Sequence, residues 1–142
     1  MLFRSYKVNS AFTFRTRVEV LWYDKNGSAP EQGFLTYADI IYKPLRKAYS
    51  GNIRIQYFET DSYNSRMYAY ENDVLYSFSI PVFYDKGYRY YLNLNYDATR
   101  KLSVWLRFAQ TIYLDKNLIG SGLDEIMGNK KTEIRLQVIF SF

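Results

Sequence analysis

The side chains most able to do chemistry in this sequence are carboxylates in its polar stretches, namely Asp61, Glu71, Asp73, Asp124 and Glu125. The chain contains no histidine and no cysteine. Their absence removes imidazole general bases, Ser-His-Asp and Cys-His nucleophiles, disulfides and Cys/His zinc sites. We therefore predict a non-enzymatic protein with no cofactor and no metal.

The loop GSGLDEIMGN, residues 120–129, combines three glycines with the acidic pair Asp124–Glu125. It lacks the G-x-x-x-x-G-K-[ST] order of a phosphate-binding loop. Oxygen ligands for Ca²⁺ are present at Asp115, Asn117, Asp124 and Glu125, but without the regular EF-hand spacing. We expect a structured extracellular loop here rather than a metal site.

The net charge of +5, from 19 Lys+Arg and 14 Asp+Glu, is compatible with an anionic partner. The basic residues are dispersed among aromatic and acidic ones, with Lys130–Lys131 as a tight pair. A nucleic-acid surface needs a clustered basic patch, so we predict no nucleic-acid partner. The N-terminal MLFRSYKV lacks the apolar region of a secretory signal, and no stretch is long and apolar enough for a transmembrane helix.

Period-two alternation of apolar and polar residues runs through most of the chain and predicts β-strands. Strands of soluble proteins usually have about 5–6 residues, and several of these segments are longer. Their length suits a tilted membrane-spanning strand, which needs about 9–11 residues. We predict an all-β antiparallel meander of about 7–8 strands that forms a transmembrane β-barrel, as a single domain over residues 1–142. The eight segments are Leu2–Val8, Ala11–Tyr23, Gly33–Tyr42, Asn52–Thr60, Asp73–Ile80, Tyr88–Tyr96, Leu102–Tyr113 and Thr132–Phe142.

The predicted connections alternate between shorter basic turns and longer polar loops, as in outer-membrane barrels. The shorter set is Asn9–Ser10, Lys43–Ser50 and Asp97–Lys101, and the longer set is Lys25–Gln32, Asp61–Asn72 and Asp115–Lys131.

If the shorter turns are periplasmic, only an even number of strands fits between Ser50 and Asp97. We therefore predict that Asp73–Ile80, which Pro81 interrupts, does not span but lies in an extracellular excursion from Asp61 to Lys86. Seven spanning strands remain, an odd number for a bacterial barrel. The chain is thus predicted to be the C-terminal portion of a longer outer-membrane protein, with closure by an eighth strand as the alternative.

Each predicted strand has one apolar and one polar face, and a membrane barrel turns the apolar face outward and the polar face into the lumen. Aromatic residues near strand ends favour this arrangement, because amphipathic rings suit the two membrane interfaces. They are Trp22, Tyr23, Tyr42, Tyr57, Phe58, Tyr96, Tyr113, Phe140 and Phe142. The predicted membrane-facing residues are Phe12, Phe14, Val18, Val20, Leu92, Leu94, Val104, Leu106, Phe108, Ile134, Leu136, Val138 and Phe140.

The polar faces carry a predicted lumen charge network of Arg15, Arg17, Glu19, Asp39, Arg54, Arg89, Arg107, Glu133 and Arg135. Such a set either selects anions in a pore or forms ion pairs that plug a narrow barrel, and we favour the ion pairs. The function expected is structural or transport-related. The alternatives are a soluble β-barrel that binds an apolar ligand, with its faces reversed, and a module that binds a partner through its long loops.

Three runs of sequence also carry a family resemblance: Thr60–Tyr96, Leu102–Tyr113 (LSVWLRFAQTIY) and Ile119–Phe142. They resemble the C-terminal barrel of Bacteroidetes outer-membrane proteins that often carry helix-hairpin-helix repeats near their N-terminus. The stretch IGSGLDEI with the GNK that follows is the most specific, and KNGSAPEQGF (Lys25–Phe34) also fits.

The resemblance implies an integral protein of the bacterial outer membrane, with extracellular loops and a periplasmic C-terminus. It implies outer-membrane lipid and the barrel-assembly machinery as partners, with Phe140 and Phe142 as the C-terminal assembly signal. It brings no known catalytic activity. No helix-hairpin-helix pair is found in this sequence, so the resemblance implies no DNA binding by these residues.

Overall fold

A computed structural model describes residues 1–24, 27 and 29–142, and its long strands form one antiparallel sheet. The seven long strands are β1 (Leu2–Lys7), β2 (Phe12–Tyr23), β3 (Glu31–Tyr42), β4 (Tyr49–Thr60), β7 (Lys86–Asp97), β8 (Leu102–Tyr113) and β11 (Lys130–Phe140). They follow the order β1–β2–β3–β4–β7–β8–β11 in the sheet, so the predicted all-β antiparallel meander is confirmed. Two short ladders pair β5 (Met67–Tyr68) with β6 (Val82–Phe83) and β9 (Leu118–Ile119) with β10 (Ile126–Met127).

The sheet is open in the described part of the chain, because β1 and β11 form its two edges and do not pair with each other. Six successive antiparallel pairings separate β1 from β11. These two edge strands therefore run in the same direction. A closed barrel made by this chain alone would need a parallel β1–β11 ladder.

Several strands begin earlier than the alternation predicts. β4 begins at Tyr49 because Gly51, just before the predicted start, pairs with Leu94. In the same way β7 begins at Lys86, because Gly87 pairs with Tyr113. Backbone pairing extends the strand whatever the side chain, so a glycine ends the sequence pattern without ending the ladder. At the other limit, β11 ends at Phe140 and not at the predicted Phe142.

The segment Asp73–Ile80 forms no strand, in agreement with its predicted exclusion from the sheet. It turns at Val74–Ser77, where the Ser77 amide donates to the Val74 carbonyl at 3.1 Å. Tyr76 has a φ of 64°, a left-handed conformation that side chains other than glycine rarely adopt. An isolated bridge between Glu71 and Ser79 holds the two arms of this turn together.

The connections at the two ends of the sheet differ in length, as predicted. Residues 8–11, 43–48 and 98–101 make the turns at one end, which we call the short-turn end. Residues 61–85 and 114–129 lie at the opposite, long-loop end, where β2 also passes into β3. Lys25, Asn26 and Ser28 of the predicted loop Lys25–Gln32 lie outside the described residues. In the part of the chain that the structure describes, no helix is long and apolar enough to cross a membrane.

Residues 61–85, which we call the covering segment, fold back across one face of the sheet instead of extending away from it. Met67, Ala69 and Phe83 of this segment are buried against Leu35 and Phe58 of the sheet. This small apolar cluster lies on the same face as the buried arginines. The sequence prediction of an outward excursion did not anticipate this packing.

Phe58 and Tyr113 correct the predicted set of interfacial aromatics. Both are buried, and the Phe58 ring lies 5.2 Å from Phe83 and 5.9 Å from Tyr113 between ring centroids. Their positions in β4 and β8 share the face of Arg54 and Arg107, because residues two apart in a strand point the same way. Their placement near strand ends therefore did not indicate an interfacial position.

Candidate functional site

The face of the sheet that carries the predicted charge network, here called the polar face, is assembled by strand register. Asp39 lies opposite Arg54, and Arg107 lies opposite Arg135. Residues directly opposite in an antiparallel pair share a face and have Cβ atoms about 4.5–5.5 Å apart. The first pair is attractive and the second is repulsive, so Arg107 and Arg135 need carboxylates from elsewhere.

Asp39 and Arg54 form a bidentate ion pair at the centre of this face. Arg54 Nε and Nη2 donate to the two Asp39 oxygens at 2.5 and 2.7 Å, and both side chains are almost fully buried. The guanidinium lies 3.6 Å from the centroid of the Tyr37 ring, in cation–π contact. Its Nη1 donates to the Tyr70 carbonyl of the covering segment at 2.7 Å, which ties that segment to the sheet.

Glu71 of the covering segment supplies a carboxylate to two arginines of the sheet. Arg89 donates to its two oxygens at 2.7 and 2.9 Å, and Arg107 donates to one of them at 2.5 Å. Glu71 is 0% exposed and Arg107 is 1% exposed. Arg89 reaches further, to Thr111 at 2.8 Å and to Glu133 at 3.1 Å.

Asp73 supplies the second carboxylate of the covering segment. It accepts a hydrogen bond from Arg135 and lies 3.7 Å from Arg107 Nε, and its Oδ1 also accepts the Val74 amide at 2.8 Å. Arg107 donates in addition to the carbonyl of Asn72. The repulsion between Arg107 and Arg135 is thus offset by carboxylates of the covering segment, which lies outside the strands.

The ion-pair network of the polar face is electrically neutral. Its four cations are Arg54, Arg89, Arg107 and Arg135, and its four anions are Asp39, Glu71, Asp73 and Glu133. Buried charges are tolerated only when paired and hydrogen-bonded, and each member has at least one opposite partner.

The structure places the nine residues predicted for the network at different depths. Asp39, Arg54, Arg89 and Arg107 are buried, whereas Glu133 and Arg135 are partly exposed because β11 is an edge strand. The three residues from β2 are half-buried, and there Arg17 pairs with Glu19. The remaining one, Arg15, makes no ion pair with any described residue.

Sequence reasoning left Glu71 and Asp73 out of the network. The signal that points to them is a charge imbalance: the predicted set holds six arginines and three carboxylates. A buried surface with that excess needs further anions. Glu71 and Asp73, two residues apart in a connection between predicted strands, are the right type and spacing to supply them.

The opposite face, here called the apolar face, carries all thirteen residues predicted to meet the membrane. Each of them is exposed or half-buried. Ile134, Leu136 and Val138 on β11 are 69%, 68% and 60% exposed. The two residues of the predicted assembly signal, Phe140 and Phe142, are also exposed and meet edge to face at 5.3 Å between ring centroids.

The carboxylates of the last long loop are not gathered into a site. Asp115, Asn117, Asp124 and Glu125 are all exposed to solvent. Among the described residues, no group of three His, Cys, Asp or Glu side chains is placed to hold a metal ion.

The fold and the site define an all-β sheet that buries a neutral ion-pair network and exposes apolar side chains. Comparison of the chain with protein-family models, with curated proteins and with solved structures finds no match. The family resemblance and the membrane location therefore stay predictions, and they are taken up below as proposals.

Proposed function

We propose that this chain is a non-enzymatic β-barrel segment of the bacterial outer membrane, with its apolar face toward lipid and its polar face toward the lumen. The observation that carries the proposal is the reversal of the two faces: Leu136 is 68% exposed while Arg107, one strand away, is 1% exposed. In water this would be an unfavourable arrangement of both residue types. In a membrane barrel each is in its preferred surroundings.

The extent of the apolar face supports lipid over a local contact. It continues across β2, β4, β7, β8 and β11, so it covers nearly the whole sheet. Monomeric soluble proteins rarely expose contiguous apolar patches larger than about 300–600 Å². A depression of about 380 Å³ on this face, lined by Ile40, Ile53, Leu92 and Leu94 beside Gly51, has the apolar character that suits an acyl chain.

The two unpaired edge strands support the proposal that this sheet is part of a larger barrel. In hydrocarbon, every backbone N–H and C=O must be hydrogen-bonded, so β1 and β11 cannot stay unpaired. Because both run in the same direction, an odd number of further strands would complete the cylinder with antiparallel pairs throughout. The odd number of spanning strands in the sequence analysis leads to the same expectation of a longer outer-membrane protein.

A structural or transport-related role follows from the covering segment. Glu71 and Asp73 tie this segment to three of the seven strands, to β7 through Arg89, to β8 through Arg107 and to β11 through Arg135. Ion pairs occupy the centre of the polar face, and this supports a structural lining of the lumen over an anion-selective one. Long loops at one end and short turns at the other are typical of outer-membrane barrels, and they support an extracellular side for the former and a periplasmic side for the latter.

The soluble alternative requires the reverse packing. A soluble barrel that binds an apolar ligand would bury Leu106, Leu136 and Val138 and expose Arg107. The first three are 39%, 68% and 60% exposed, so the arrangement of the faces does not favour it.

Detergent dependence tests the proposal directly. We expect the refolded chain to be monodisperse only in detergent or lipid, and to migrate faster on a gel when unheated than when boiled. A chain that is monodisperse in plain buffer and shows no change of mobility on heating would refute the membrane location.

A further inference from the structure

A cavity of about 410 Å³ lies on the polar face near the short-turn end. One wall is the tip of the covering segment, residues 70–77, and the others come from β2, β3, β4, β7 and β8. Its volume is within the ~300–1,000 Å³ usual for sites of small molecules. Tyr42, Tyr70, Tyr76 and Trp105 give it aromatic walls between polar groups.

Four nitrogen donors on residues that line this cavity are buried and have no hydrogen-bonding partner. They are Arg15 Nε, Asn52 Nδ2, Asn95 Nδ2 and Trp105 Nε1. Asn52 is 9% exposed and Asn95 is 7% exposed. A buried donor without a partner is costly and uncommon in native proteins, and four of them around one cavity indicate a missing acceptor.

The cavity-lining side-chain atoms that lack a hydrogen-bonding partner are all donors. Among the described residues, the buried side-chain oxygens that have neither a hydrogen bond nor an ion pair belong to Gln56 and Gln137, and neither residue lines the cavity. The oxygens of the amides are already used: Asn52 accepts from Asn93 at 3.1 Å, and Asn95 accepts from Ser50 at 3.5 Å. A ligand that binds here must therefore bring hydrogen-bond acceptors.

The charge at the cavity is also positive. Arg15 and Lys43 line it and form no ion pair within the described residues. Asp73 lines it too, but Arg107 and Arg135 neutralise its carboxylate. The carboxylates of the network therefore do not neutralise Arg15 and Lys43, and the cavity carries the positive charge of these two residues.

We propose that this cavity binds a small organic anion, of the size of a sugar acid or a sugar phosphate, through its carboxylate or phosphate oxygens. Arg15 supplies the charge and the main charge-assisted hydrogen bond, while Asn52, Asn95 and Trp105 donate the others. The aromatic walls contact the carbon skeleton of the ligand. The site does not depend on the medium that meets the apolar face, so its failure would leave the proposed membrane location standing.

Fluorescence of Trp105 provides the test, because the chain has two tryptophans and the other, Trp22, lies on the apolar face. The Trp22→Phe protein, refolded in detergent micelles, is titrated at constant ionic strength with glucuronate, glucose 6-phosphate and glucose. We expect a saturable change at millimolar concentrations with one or both anions, and at least about tenfold weaker binding of glucose, which is the value of one charge-assisted hydrogen bond.

Two variants and one matched control tie the binding to the cavity. Arg15→Gln is expected to weaken anion binding about tenfold or more, and Asn95→Asp, which puts a carboxylate where a donor was, is expected to abolish it. Arg17→Gln is the control, because Arg17 lies on the same strand and face but does not line the cavity. No saturable change with either anion, equal binding of glucose, or an unchanged affinity in both variants would overturn the proposal.

Discussion

Replacement of Glu71 by glutamine removes the anion that holds the covering segment to the sheet. Glutamine preserves the shape of the side chain but carries no charge, and its amide nitrogen is a donor facing the guanidinium donors of Arg89 and Arg107. Three charge-assisted hydrogen bonds, at 2.7, 2.9 and 2.5 Å, are lost or weakened. Two buried arginines are then left with an incomplete set of counterions.

The size of the effect follows from the burial of these groups. Glu71 is 0% exposed, and Arg89 and Arg107 are 3% and 1% exposed. Loss of one partner from a buried ion pair costs about 3–5 kcal/mol, mainly because the remaining charge stays buried. We expect a loss of this order in the free energy of unfolding, since Glu133 and Asp73 compensate Arg89 and Arg107 only in part.

Urea-induced unfolding in detergent micelles or lipid vesicles, followed by gel mobility and tryptophan fluorescence, measures that loss. Glu59→Gln is the matched control, because Glu59 makes an exposed ion pair with Lys86 at 3.0 Å, and exposed pairs contribute little. We expect the control to match the unsubstituted protein. A loss below about 1 kcal/mol for Glu71→Gln, or one equal to that of the control, would show that the network does not hold this fold together.

Three further substitutions probe the sheet and its two faces. Leu106→Arg on the apolar face should lower the free energy of unfolding in lipid by about 2–4 kcal/mol, the cost of an arginine near the bilayer midplane. An unchanged free energy of unfolding would mean that residue 106 does not face hydrocarbon. Gln56→Met should raise stability by about 1 kcal/mol, because both polar atoms of the Gln56 side chain are buried without a partner; a loss on urea unfolding would show that they are satisfied by water. Gly87→Ala should destabilise by about 1–3 kcal/mol, since its Cβ would lie 2.5 Å from the Ile112 carbonyl oxygen; normal stability and mobility would contradict this packing.

The course of the sheet could be predicted from the sequence because alternation is a local property. Arg54 and Ile53, for example, are assigned to opposite faces by position alone, and the structure has them 3% and 42% exposed. Pro81 in turn identified the neighbouring segment as one that does not join the sheet. Strand limits were less accurate, since Gly51 and Gly87 pair through their backbone and leave no mark in the hydrophobic pattern.

The path of the covering segment could not be predicted, because it depends on contacts between residues far apart in sequence. Glu71 meets Arg89 and Arg107 only after the strands have formed and placed those arginines side by side. Phe58 was misplaced for the same reason, since its aromatic partner Phe83 comes from that segment, and Tyr113 is buried in the same cluster. The cavity likewise forms only where residues 70–77 approach the sheet, so no local pattern in the sequence could predict it.

Collision accessibility of nitroxide labels measures whether the apolar face meets hydrocarbon. The chain has no cysteine, so single cysteines at Leu94, Leu106 and Leu136 can be labelled cleanly, with Leu123, a fully exposed loop residue, as the water-facing control. In lipid vesicles, we predict that the three apolar-face labels collide readily with oxygen and poorly with a water-soluble nickel chelate, and that the control shows the opposite. Ready collision of the nickel chelate at Leu94, Leu106 and Leu136, or immobile labels shielded from both reagents, would contradict it.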